Sequence, residues 1–391
     1  MSFILILILS MFVADVLFWL WAHRMLVLRG WRIALASFMA IQLGSLVLVI
    51  FGRVLSDRTD EWIPRFVMVL VFLWHFILLP LGVVIAVGQS LVASVARFVK
   101  QRPSSAAPDA PVPSRRQFLR TALVAAPPVA TTTLTGVSLS QLNGFRIRPM
   151  HLKLSQLPPA LDGLTIAHVT DIHAGRFTGE AVMLRIADAT NNLHADLVLL
   201  TGDLINHALS DLPNALDIVR RLDARHGVYM CEGNHDLLES RLGFEQGVKQ
   251  SGVVPLLVNE STTLTIRGCP IQLLGLRWGP GRGDVGIASS MRELLAQRVP
   301  DAFPILLAHH PHAFDPAAEA GIPLILSGHT HGGQLMLSPN LGFGPMMFRY
   351  WSGLYERSAS KLVVSNGVGN WFPLRVNAPA EIVHLTLHRA A

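Results

Sequence analysis

Cysteine is nearly missing from this 391-residue chain, with Cys231 and Cys269 the only two. Two thiols cannot build a disulfide framework, and neither stands at metal-ligand spacing. One bridge could form in an oxidising compartment, but two buried thiols are the plainer reading. Charge is also scarce, at 15% of residues, while 51% are hydrophobic. That balance is unusual for a water-soluble globule and points to membrane-crossing segments. Acid is scarcest near the N-terminus. Residues 1–120 carry 12 Lys/Arg and 5 Asp/Glu, against 20 and 21 in the remainder. The basic excess therefore flanks apolar runs, as membrane orientation requires, and no nucleic-acid partner is expected.

Three apolar runs open the chain: Phe3–Ala22, Ile33–Phe51 and Phe66–Ala96. Each reaches or approaches the roughly 20 residues that span a hydrocarbon core. The third is too short for two spans, so a single tilted or Pro80-kinked helix is expected. Asp15 and His75 lie inside these runs. A mid-membrane Asp is costly unless it serves a function or faces another helix or water. Arg24, Arg29 and Arg32 follow the first run without an acid. After the second, Arg53, Arg58 and Arg65 are offset by Asp57, Asp60 and Glu61. After the third come Arg97, Lys100, Arg102, Arg115, Arg116 and Arg120, with Asp109 alone against them. The pattern places the first and third loops in the cytoplasm and the amino terminus outside.

Arg102–Pro113 reads as a flexible linker. It leads into Ser114-Arg115-Arg116-Gln117-Phe118-Leu119-Arg120 and a mildly apolar stretch, Thr121–Leu139. That is the form of a twin-arginine export signal, with the twin-arginine translocation machinery as its partner. An ordinary juxtamembrane basic cluster is the alternative. Either reading sends the stretch outward as a fourth span, retained because it lacks an Ala-x-Ala cleavage site. Its Pro127-Pro128 pair argues against a regular helix there. The expected organisation is a transmembrane region over 1–100, a linker with signal and fourth segment over 101–140, and a catalytic domain over 141–391. The lipid bilayer is one partner, and the expected location is a bacterial inner membrane with the domain on its periplasmic or external side.

Beyond residue 160 the texture changes to short apolar runs alternating with amphipathic stretches. Leu164–Thr170, Ala195–Leu200, Gly227–Cys231, Pro304–Leu307 and Ile322–Leu326 read as strands. Helical patterns over Gly179–His194 and Pro213–Arg225 make two βαβ units of the first three. Thr263–Ile266 and Ile271–Arg277 read as an antiparallel hairpin. The fold class is α/β with mixed sheets. Each of the five strands ends in polar residues: Asp171-Ile172-His173, Gly202-Asp203, Gly233-Asn234-His235-Asp236, His309-His310-Pro311 and Gly328-His329-Thr330-His331. In open α/β sheets the carboxyl ends of strands converge on one crevice. Asp, His and Asn together suit Mn, Fe or Zn, whereas Mg and Ca favour oxygen alone. Each motif alone is weak, and a lone His is more often structural; five in order, each at a strand end, are not. Asp203 is free to bridge two ions.

This set resembles the calcineurin-like metallophosphoesterase superfamily from about residue 160 to the end. Leu307-Ala308-His309-His310-Pro311, Ser327-Gly328-His329-Thr330-His331-Gly332-Gly333-Gln334, Gly367-Val368-Gly369 and Pro379-Ala380-Glu381-Ile382 are similar to its membrane-anchored branch. The resemblance implies a four-layer α/β/β/α sandwich. It implies two divalent ions, one held by Asp171, His173 and His331, the other by Asn234, His309 and His329, with Asp203 between. The doublet leaves His310 as the alternative to His309. His235 would be the acid or phosphate contact, with Asp236 orienting it. Around these, Arg176 is a phosphate contact or a surface arginine, His207 lines the cleft or does not, and His168 reads as structural. The implied activity is hydrolysis of a phosphate ester or pyrophosphate in a phosphorylated small molecule or lipid. UDP-2,3-diacylglucosamine pyrophosphate hydrolysis is an alternative, and a non-catalytic membrane sensor or scaffold is one of another class. Substrate choice would rest on loops around Gly279–Ser290 and Asn340–Gly353, which with Trp278 offer Arg282, Arg349, Tyr350 and Trp351.

Overall fold

The computed structural model describes residues 2–55, 63–99, 115–279 and 284–390. The expected linker Arg102–Pro113, the second-loop charges Asp57, Arg58, Asp60 and Glu61, the third-loop Lys100, and Arg282 lie outside them. The chain divides into two compact units, Met1–Leu139 and Ser140–Ala391.

The first unit is helical: α1 (Ser2–Met25), α2 (Arg29–Leu55), α3 (Arg65–Phe72), a π-helical turn over Leu73–Leu78, α4 (Leu79–Val99) and α5 (Arg115–Gln141). Among the described residues four stretches are long and apolar enough to cross a membrane: Ile6–Met25, Arg29–Phe51, Arg65–Val95 and Arg115–Gln141. The third runs unbroken through the wide turn just before Pro80. Pro80 has no N–H for the Phe76 carbonyl, and a π-turn lets the helix absorb that lost bond. The Pro127-Pro128 pair does not break α5, contrary to the expectation. The Thr131 and Thr132 hydroxyls donate to the Pro127 and Pro128 carbonyls at 2.9 and 3.0 Å. These bonds add to the helix's own, whereas the carbonyls that the two rings leave without an N–H lie four residues earlier, at Leu123 and Val124.

Asp15 and His75 prove to be partners. Asp15 is buried, accepting from Trp74 Nε1 at 2.8 Å and lying 3.1 Å from His75 Nε2. The Trp74 ring is itself wedged edge-on against Phe18 and Phe38, at 5.2 and 4.8 Å between centroids. A carboxylate among apolar helices is tolerated because donors from the third span meet both its oxygens.

The second unit opens with β1 (Phe145–Leu154), β2 (Leu164–Val169), α6 (Glu180–Asn191), β3 (Leu197–Thr201), α7 (Leu212–Val219), β4 (Val228–Cys231), α8 (Arg241–Ser251) and β5 (Leu256–Leu257). The hairpin β6 (Glu260–Ile266) and β7 (Cys269–Gly275) follows, then α9 (Asp284–Leu295), β8 (Phe303–Leu307), α10 (Phe314–Glu319) and β9 (Leu324–Ser327). The chain ends with β10 (Met336–Ser338), β11 (Leu341–Gly342), α11 (Phe343–Met347), β12 (Gly353–Arg357), β13 (Ser360–Val364) and β14 (Ala380–Arg389). Two six-stranded sheets result, ordered β1-β14-β2-β3-β4-β5 and β12-β13-β9-β8-β7-β6. Strands β2 to β5 are mutually parallel, as are β7, β8, β9 and β13.

Side-chain alternation along each strand assigns the layers. Leu197 and Leu199 of β3 join Ile305 and Leu307 of β8 in an apolar core between the sheets. Val198 and Leu200 point the other way, onto Ile186, Leu216 and Phe244 of α6, α7 and α8. On the far face Leu306 and Ile325 pack with Leu294 and Phe314 of α9 and α10. The order is helix, sheet, sheet, helix, the four-layer sandwich expected.

Removing the Asp15 carboxylate strands two buried donors, and breaking such a buried pair costs about 3 kcal/mol or more. Asp15→Ala should therefore lower the melting temperature of the detergent-solubilised chain, followed by circular dichroism. Asp15→Ala/His75→Ala should recover part of the loss, and an unchanged melting temperature in Asp15→Ala would show the pair to be idle.

Candidate metal centre

All five motifs sit where a parallel strand ends and the chain turns. Asp171 and His173 follow β2, Asp203 follows β3, Asn234 to Asp236 follow β4, His309 follows β8, and His329 and His331 follow β9. Both sheets thus contribute at their carboxyl edges. The turns are tight. Asp171, His173, Asp203, His329 and His331 have φ between 49° and 73°, the left-handed region. For residues with a Cβ this is strained by roughly 1–3 kcal/mol each and persists only where the surroundings impose it. Two glycines make room for the result. A Cβ on Gly233 would collide with the Asp203 carboxylate, and one on Gly328 with that of Asp171.

The side chains form two groups joined by one residue. Asp171, His173 and His331 have their ligand atoms within 4.8 Å of one another, as do Asp203, His309 and His329. His331 Nε2 is 3.2 Å from Asp171 Oδ1, and the His173 and His331 Nε2 atoms face each other at 3.0 Å. In the other group His309 Nε2 is 3.0 Å from Asp203 Oδ2, and His329 Nδ1 is 2.8 Å from Asn234 Oδ1. Asp203 Oδ2 also lies 3.5 Å from His173 Nε2, so its carboxylate faces both groups. His310 stays outside: its Nδ1 accepts from the His312 backbone N–H at 3.1 Å, capping a short turn. Of the doublet, the structure places His309 in the cluster.

The donor set fits divalent ions by a test of tautomers. His309 Nδ1 donates to the Thr201 carbonyl at 2.6 Å. Its buried Nε2 has no hydrogen-bond partner, yet it faces the Asp203 carboxylate. A bare lone pair opposed to a carboxylate is repulsive, so a cation, either a proton or a metal ion, belongs between them. Without metal, the pKa values follow. Burial depresses His309, but Asp203 and Asp171 outweigh it and raise it to about 9. Burial would raise both carboxyls, but the imidazoles hold Asp171 and Asp203 below the usual range. Burial pushes His173 down to about 4 against Asp171 and Asp203.

The supporting residues are only partly those expected. His235 Nδ1 donates to the Asn206 carbonyl at 2.6 Å, which leaves Nε2 for the centre. His235 lies in a third close group with His173 and Asp203. Asp236 was expected to orient this ring, and the Asn206 carbonyl does so instead. The Asp236 carboxylate accepts the backbone N–H of Asp203, Ile205 and Gly233, tying the turns after β3 and β4 together. Burial and then the Asp203 charge raise its pKa to about 8. His168 is buried and bonded to Thr201 Oγ1, the structural place expected. Arg176 lies over the Phe177 ring, and His207 is exposed.

Arg375 was not legible as a site residue. It is fully buried, with Nη2 3.0 Å from His331 Nδ1 and 2.7 Å from the Gly369 carbonyl. Ligation through His331 Nε2 requires a proton on Nδ1; Arg375 then keeps the Gly367 and Gly369 carbonyls as acceptors. A lone arginine 44 residues from its partner leaves no motif in the sequence.

Beside the second group opens a cavity of about 790 Å³, bounded by Asn234, His309, His329, Trp278, Ile287 and Phe348. Trp278 packs 5.0 Å from the His329 ring. The other candidate loop residues serve packing: Arg349 and Tyr350 bond to Asp315, and the Trp351 carbonyl accepts from Thr330.

Residues 164–333 match the profile of the calcineurin-like phosphoesterase family. The chain is 28% identical over 385 residues to a transmembrane protein with metallophosphoesterase domain of Danio rerio, covering 93% of this chain and 81% of that one. The protein of the same name in Bos taurus is 30% identical over 292 residues, 71% of this chain and 64% of its own length. A more distant relative, at 22% identity over 307 residues, is a UDP-2,3-diacylglucosamine pyrophosphatase of Chlamydia trachomatis, matched over 65% of this chain and 93% of that one.

A ligand must shed its proton to bind metal, and His309 holds one up to about pH 9. Mn²⁺ affinity, measured by calorimetry, should thus rise with pH by about tenfold per unit between 7 and 9 and level off above. A flat profile would contradict this assignment of His309.

Proposed function

Since residues 164–333 are a calcineurin-like phosphoesterase domain, we propose that the chain is a membrane-anchored, dinuclear-metal-dependent phosphoesterase acting on phosphodiester or lipid-linked substrates. One observation carries the reading: the buried Asp203 carboxylate faces imidazoles of both ligand groups, His173 on one side and His309 on the other. Asp171, His173 and His331 would hold one ion, Asn234, His309 and His329 the other, with Asp203 shared. Bound there, Mn, Fe or Zn would supply Lewis acidity towards the phosphoryl group and acidify water.

The protein groups have separate tasks. Asn206 fixes the His235 tautomer, so the ring presents Nε2 to the centre. Protonated, Nε2 bonds a phosphoryl oxygen and delivers the proton to the departing oxygen. Asp236 holds the turns after β3 and β4 at their spacing, so that Asp203 and Asn234 meet one substrate. Trp278, Ile287 and Phe348 give the cavity an apolar wall directly beside His329, which suits an acyl or aromatic group next to the phosphate. A pyrophosphate between a nucleotide and an acylated sugar is the second reading, favoured by that wall and by the activity named for the chlamydial relative. Loop charges and the arginine doublet favour a domain on the periplasmic or external side of a bacterial inner membrane.

The purified chain should hydrolyse bis(p-nitrophenyl) phosphate with Mn²⁺, and Asp203→Ala should abolish turnover; inactivity with every divalent metal would refute the enzyme. His235→Ala should lower kcat by about 10²–10⁴-fold for alkyl esters, whose leaving oxygen needs a proton. The loss should be much smaller for p-nitrophenyl esters, and equal losses would remove His235 as the acid. Fused after Ala391, alkaline phosphatase should be active and a cytoplasm-dependent fluorescent protein dark; the reverse pattern would place the domain inside.

A further inference from the structure

Within the helical unit, a groove of about 1080 Å³ runs between α1, α4 and α5. One end is lined by Arg24 from the last turn of α1 and by Arg116 and Arg120 from the start of α5. The rest of the lining is mostly apolar, with Gln89, Ser90 and Ser94 its polar members; Leu17, Leu20 and Val87 are each about half exposed, at 50%, 46% and 51%. Among the described residues no Asp or Glu lines the groove. Such a surface would be poor in water. In a bilayer its apolar stretch lies against acyl chains while the arginines stay at the headgroup level.

The convergence is more than loop charge. Arg24 and the Arg116–Arg120 pair belong to loops that the charge pattern puts on one membrane face, and helix packing brings them to one groove end. Three guanidiniums there, without an acid among the lining side chains, make that part of the groove complementary to an anion. A guanidinium fork matches a phosphate by paired, charge-assisted hydrogen bonds. The apolar channel leading away from them matches lipid tails.

We propose that this groove is a binding site for one anionic phospholipid, its phosphate at Arg24, Arg116 and Arg120 and its chains along Leu17, Leu20 and Val87. The site is separate from the metal centre and does not depend on the function proposed above. A lipid held there ties α5 to α1 through its headgroup and lays its chains against α4.

The test uses the full chain, delipidated in detergent and offered phosphatidylglycerol or phosphatidylcholine with the same acyl chains. Native mass spectrometry should show one phosphatidylglycerol retained per chain, and the melting temperature should rise with it alone. Glycerol 3-phosphate should give neither effect, since the tails contribute. Arg24→Gln/Arg116→Gln/Arg120→Gln should weaken retention by about 100-fold. Arg115→Gln, an exposed neighbour that does not line the groove, should leave retention unchanged. If the triple glutamine variant does not fold by circular dichroism, the triple lysine variant decides: it should still prefer phosphatidylglycerol. Equal retention of both lipids by the wild type would overturn the proposal. So would stabilisation by glycerol 3-phosphate alone, an equal loss in Arg115→Gln, or no preference in the lysine variant.

Discussion

The Asp203 carboxylate is buried at 1% exposure with imidazoles on two sides, and most of the site's geometry follows from keeping it there. An isolated carboxylate so deep would cost several kcal/mol, and proteins avoid that cost by pairing or by protonation. Here the compensation is positive charge: a proton on His309 without metal, an ion when metal binds. The carboxylate also accepts the His235 backbone N–H at 2.8 Å, while Asp236 accepts the backbone N–H of Asp203. The two acids therefore lock the turns after β3 and β4 to each other. One of them is left ionised for cations and the other is sealed among backbone donors.

That arrangement also explains why the backbone is strained where it is. Five of the candidate ligands occupy left-handed φ, each where a strand has ended and the chain turns sharply at the carboxyl edge of its sheet. The turns crowd these side chains into one crevice, and Gly233 and Gly328 leave the space that crowding requires. The adverse conformational energy is offset by two sheets packed through a common apolar core, which holds the strand ends fixed. The anchoring helices solve a related problem differently. Asp15 is paired within its own bundle, with Trp74 Nε1 at one oxygen and His75 Nε2 at the other.

Legibility in the sequence followed the kind of interaction involved. Strands β2, β3, β4, β8 and β9 were readable from short apolar runs, and the ligands because each run ended in a side chain of distinctive chemistry. The hairpin of β6 and β7 was readable for the same reason. The parallel pairing of β1 with β14 joins residues such as Phe145 and Ala380 and leaves no local trace. Backbone acceptors were invisible too, because the Thr201 and Asn206 carbonyls look like any others until the fold aims them. Hence Asp236 was assigned to His235, and His309 could not be separated from His310. Arg375 was missed for want of neighbours in sequence, and helix α5 runs on through a proline pair that had argued against a regular helix.

Everything proposed for catalysis returns to one carboxylate serving two ions. Electron paramagnetic resonance of the manganese-loaded chain, with metal content counted on the same sample, tests this most directly. The account predicts two Mn²⁺ per chain with an exchange-coupled spectrum that Asp203→Asn abolishes. One ion per chain, or two that are magnetically independent, would contradict it.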